Sequence, residues 1–96
     1  AIGPALIPYG VTAAMPDPNL EIIRSGQSVA SYSNDNWGGS TLITSVGNSV
    51  GAFALTDAAG KDAVLLVTLD PGVYSAKVTG VNNTSGITLI EVYEVP

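Results

Sequence analysis

Ninety-six residues without cysteine or histidine make one domain long enough for a real core. They carry no thiolate or imidazole chemistry, which excludes Cys- or His-based zinc sites, His triads and imidazole acid–base pairs. Eight acidic residues against three basic give a net charge of −5, so the chain lacks the clustered Lys and Arg that a nucleic acid needs and is disfavoured at anionic membrane surfaces.

Only 11% of residues are charged while 46% are hydrophobic, against roughly 25% charged in a typical soluble domain. Ser, Thr, Asn and Gly must therefore cover the surface, or a partner must. Without cysteine the redox compartment stays open. No apolar run approaches the roughly 20 residues of a membrane span, and the start has no basic n-region of a signal peptide. A chain opening on Ala1 rather than Met is either processed or an excerpt.

Residues 1–11 form an apolar, uncharged arm punctuated by Pro4 and Pro8. Missing two amide donors, it suits an edge strand or a helical turn starting at Pro4. Thr12–Pro18 reads as a loop ending in the stiff Pro16-Asp17-Pro18 bend. Asn19–Arg24, Ser25-Gly26 and Gln27–Tyr32 have the pattern of strand, tight turn and returning strand. Ser33–Ser40 is polar, turn-prone and holds the single tryptophan, Trp37. Ser40 or Thr41 then caps a short helix near 41–47, in which Leu42, Ile43, Val46 and Val50 recur at helical spacing despite Gly47. Gly51–Thr56 alternates weakly as a strand, and Asp57–Asp62 reads as a surface loop.

The apolar, β-branched run Ala63–Leu69 predicts a strand covered on both faces. Asp70-Pro71-Gly72 turns the chain. Gly72–Thr79 alternates Tyr74, Ala76 and Val78 against Val73, Ser75, Lys77 and Thr79, and Ile87–Val95 alternates again. Turn signals every eight to twelve residues predict an all-β fold over 1–96, an antiparallel β-sandwich of jelly-roll or Ig-like type with six or seven strands.

Few residues carry candidate chemistry. Asn34, Asp35 and Asn36, with Asp17, Asp62 or Asp70, offer oxygens for calcium, but they lack EF-hand spacing and read better as Asx turns. With Trp37 they form the candidate ligand-binding loop, where an indole would stack on a sugar; packing over the core or at a subunit contact is the stronger reading for Trp37. Tyr74 and Tyr93 suit core packing with the hydroxyl at the rim. Glu91 sits on an alternating face either as a solvated residue or as an edge charge. Neither Ser25-Gly26 nor Ser85-Gly86 has a base to activate a serine except Lys61 or Lys77, so no catalytic residue, metal or cofactor is assigned. Asn82–Ser85 holds two overlapping glycosylation sequons.

Three stretches together resemble a module common in large secreted and surface proteins of bacteria. They are Ala1–Leu6 with Asp17–Leu20, Ser33–Gly38, and Asp62–Tyr74 with Leu89–Tyr93. The order of acidic-Pro strand, Asn-Asp loop and Pro-Gly-x-Tyr hairpin is also similar to the pre-peptidase C-terminal domains of secreted hydrolases, which are jelly-roll-like sandwiches. The resemblance implies secretion or a cell-surface location, a structural or interaction role, and no catalysis. In the module an apolar strand often precedes the segment matching Ala1–Leu6. Its lack here implies an open groove and an unpaired edge, with Ala1, Ile2, Leu6 and Ile7 as the arm donated to another copy. The expectation is a self-assembling subunit of an extracellular filament or layer, a homo-oligomer or polymer. The alternative is an accessory module that holds a secreted enzyme on polysaccharide or protein.

Overall fold

A computed structural model describes residues 1–96. In chain order it contains a 3₁₀ helix Pro4–Tyr9, strand β1 Pro18–Arg24, strand β2 Tyr32–Asn34, helix α1 Thr41–Val50, strand β3 Tyr74–Gly80 and a 3₁₀ turn Val81–Asn83. The three strands form one open antiparallel sheet in the order β2-β1-β3. This corrects the expected sandwich of six or seven strands. Three expected strands, Gly51–Thr56, Ala63–Leu69 and Ile87–Val95, do not form ladders, because each lacks a neighbour to pair with along its length. Hydrophobic patterning reports which side chains avoid water; a strand also needs a facing backbone.

β1 is the centre of the sheet because it alternates Pro18, Leu20 and Ile22 toward one face, with Pro18 and Leu20 buried. On β3, Val78 lies opposite Leu20 and Ala76 opposite Ile22, so the same face continues across the pair. On the other side Leu20 lies opposite Asn34 and Ile22 opposite Tyr32. The returning strand therefore begins at Tyr32 rather than Gln27. The β1–β3 junction is pinned by Arg24, which donates to the Pro71 carbonyl at 3.3 Å and lies 5.7 Å over the Tyr74 ring. Ser25 N–H donates to the Val73 carbonyl at 2.8 Å, and the Tyr74 hydroxyl to Asp70 at 2.8 Å.

α1 starts where a capping residue stands, since Ser40 Oγ accepts from Ile43 N–H at 3.3 Å. It ends at Gly51, whose φ of 75° is left-handed and suits glycine. The helix is three residues longer at its end than the pattern predicted. No helix is long and apolar enough to cross a membrane.

The core is small. Ala1, Leu20 and Ala63 cluster, with Leu65 and Val78 packed against them. Ten of 96 residues are buried, and the accessible surface is 6067 Å². A folded monomer of 9.7 kDa is expected to expose about 5,100 Å². The surplus is about 900 Å².

Candidate functional site

The N-terminal arm is held inside its own subunit. Ala1 exchanges two hydrogen bonds with Ala63, the amine donating to the Ala63 carbonyl at 2.8 Å and the Ala63 amide to the Ala1 carbonyl at 2.9 Å. Ile2 does the same with Leu89 on the opposite side, at 2.8 and 3.0 Å. Asp62, 3% exposed, then caps the 3₁₀ helix from 59 residues away: Oδ1 accepts from Gly3 N–H at 2.7 Å and Ala5 N–H at 3.2 Å. Its backbone carbonyl accepts from Trp37 N–H at 2.9 Å. Ala1, Ile2 and Leu6 are buried by these contacts, and of the four expected arm residues Ile7 alone is exposed. Burial also lowers the pKa of the Ala1 amine below its ordinary 8.0, against the opposing pull of Asp62 and Glu91.

Ala1 and Ile2 occupy a lane between two flanking segments. Along the Leu89 flank, Ile87 pairs with Ala13–Met15 through two bonds of 2.8 Å, and Leu89 pairs with Ile2. No other backbone group pairs with the backbone of the residues that follow. Along the Ala63 flank, Ala63 pairs with Ala1, and beyond it, as far as Leu69, no backbone group pairs with another backbone group. Leu65–Leu69 and Ile90–Val95 take part in no backbone–backbone hydrogen bond, although the chain runs from Lys61 to Asp70 without a turn or bend. The whole molecule makes 36 such bonds, about half of the roughly 65 usual for its length.

Between these flanks lies an open cleft of about 810 Å³, with 23 of its 29 lining residues hydrophobic. Leu66, Leu69, Ile90, Val92, Tyr93 and Val95 are exposed on its walls, Val92 by 81%. Glu91 is the one wall carboxylate that is tied down, accepting Phe53 N–H at 2.9 Å. Glu91 is thus neither a solvated residue nor a bare edge charge.

Trp37 lines the same cleft but is only 6% exposed, and its indole N–H donates to the Asp57 carbonyl at 2.9 Å. It offers no exposed ring for stacking. Asn34, Asp35 and Asn36 spend their polar groups locally: Asn34 donates to the Asn36 carbonyl at 2.9 Å, Asn36 to Asp35 at 3.0 Å, and Asn34 Oδ1 accepts Val64 N–H at 3.1 Å. No three acidic side chains come together in the structure. Sequence reasoning missed Asp62 as the anchor of the arm, and no local signal marks it, because its partners are nearly sixty residues distant. No family model, curated protein or solved structure matches the chain.

Proposed function

We propose that this chain is a non-enzymatic, extracellular structural module that associates with copies of itself, as a subunit of a surface filament or layer. The observation that carries the reading is the surplus of about 900 Å² of surface over the whole molecule, together with an open cleft lined mostly by apolar residues. The surplus is close to the roughly 800 Å² that each partner contributes to a stable interface. The low charge of the chain supports the same reading, since few ionic groups would need desolvation on contact. The extracellular setting follows from the resemblance to secreted bacterial modules. The arm serves this role from within its own subunit: it closes part of the lane and leaves the remainder open.

Sedimentation velocity at about 1–100 μM, the weaker end of affinities for interfaces of standard size, tests the reading together with negative-stain microscopy. Concentration-dependent association into fibres or sheets is expected. A clean monomer across that range overturns it.

A further inference from the structure

We infer that the open part of the lane is a strand-acceptor site, and that its occupant is an extended apolar segment of a second copy of this chain, entering in line with Ala1. This rests on the self-association reading and specifies how the contact is made.

The hydrogen bonds already formed set the geometry. Ala63 turns its N–H and C=O toward the lane, where they meet Ala1. In a chain without a bend, alternate residues face the same way, so the backbone groups of Leu65, Val67 and Leu69 face the lane too. The intervening residues face the other side, as Val64 N–H does in donating to Asn34 and the Asp62 carbonyl does in accepting from Trp37. On the opposite flank Leu89 turns toward Ile2, which directs Glu91, Tyr93 and Val95 into the same gap. Six residues on two walls therefore aim unpaired amides and carbonyls into one apolar slot. The five residues Leu65–Leu69 make it about 16 Å long.

That combination selects the occupant. An aliphatic ligand would fill the apolar volume and leave the backbone groups unsatisfied, a cost paid at every facing amide. A peptide strand satisfies both walls at once, running antiparallel to each as Ala1–Ile2 already does. The surplus surface matches one subunit's share of a contact between two copies. The edge of Leu65–Leu69 carries neither the charge nor the proline that guards edges against such pairing.

Amide hydrogen exchange by NMR, on the unmodified chain at dilute and concentrated ends of its association range, tests this. Association should slow exchange at least about tenfold at Val67 and Tyr93, with Leu66 and Val92 changing little. Val67→Pro and Tyr93→Pro each remove a lane-facing donor that has no partner within the subunit, and should weaken association by about tenfold or more, the equivalent of ~1.4 kcal/mol. Association without protection on both walls overturns the acceptor site and leaves self-assembly standing. A chain that never associates overturns both. A chain extended upstream of Ala1 that stays monomeric yet shows the same alternating protection assigns the lane to its own upstream residues and overturns the second-copy occupant.

Discussion

Replacing Asp62 by Ala removes the acceptor that holds two backbone amides of the N-terminal segment. Hydrogen bonds to a charged group contribute about 1.5–3 kcal/mol each. The Gly3 bond at 2.7 Å belongs at the upper end of that range and the Ala5 bond at 3.2 Å at the lower. With the Gly3 amide left buried, the expected loss is about 3–5 kcal/mol. A domain of this length has a total stability of about 5–14 kcal/mol, so the variant forfeits a large fraction of it. Its thermal midpoint should fall by at least about 12 °C. Asp62→Asn keeps an acceptor without the charge and should lose only about 1–2 kcal/mol. Urea unfolding followed by circular dichroism measures both variants, and exchange at the Gly3 and Ala5 amides shows whether the arm is what opens. An Asp62→Ala chain within about 1 kcal/mol of the parent would refute the claim that this carboxylate anchors the arm.

Four further outcomes are expected. Gly47→Ala, in mid-helix with its nearest neighbour 3.7 Å from the added methyl, should raise stability by about 0.5–1 kcal/mol; Gly3→Ala, whose methyl would meet the Met15 carbonyl, should lower it by about 1–3 kcal/mol, both read from urea midpoints. Trp37→Phe loses the indole donor to Asp57 and part of its packing, and should cost about 1–3 kcal/mol in the same assay. The Ala1 amine has its pKa lowered by folding, first by desolvation, so the unfolded chain holds that proton more tightly and this group's contribution to stability rises as pH climbs through the folded pKa toward about 8. Acetylating Ala1 keeps an N–H for Ala63 but removes the charge; it should raise the thermal midpoint more at about pH 6 than at about pH 9, and an equal gain at both would contradict the assignment.

What the sequence disclosed was local. The alternation in Asn19–Arg24 and Gly72–Thr79 anticipated β1 and β3, including the shared side of Tyr74, Ala76 and Val78, because both strands find partners within the chain. Ser40 was legible as a cap because the bond to Ile43 spans only three residues. The Ser25-Gly26 turn was visible, but the length of the loop after it was not: Val29 is 75% exposed and pairing resumes only at Tyr32. The apolar run Ala63–Leu69 predicts a doubly covered strand. Its composition states a demand for cover, and whether a backbone meets that demand depends on residues elsewhere. Asp62 reads as part of a surface loop for a related reason, since a buried carboxylate is explained only by distant amides that folding brings to it.

The position of Trp37 gives the chain an optical gauge of its own state. As the only indole in the molecule, clamped through its amide to Asp62 and through its ring nitrogen to Asp57, it looks into the cleft at the end where the first residues are fastened. Its emission colour therefore tracks release of those residues, while ellipticity tracks α1. Melting curves from the two signals will superimpose if arm and helix dissolve together and separate if the clamp lets go first.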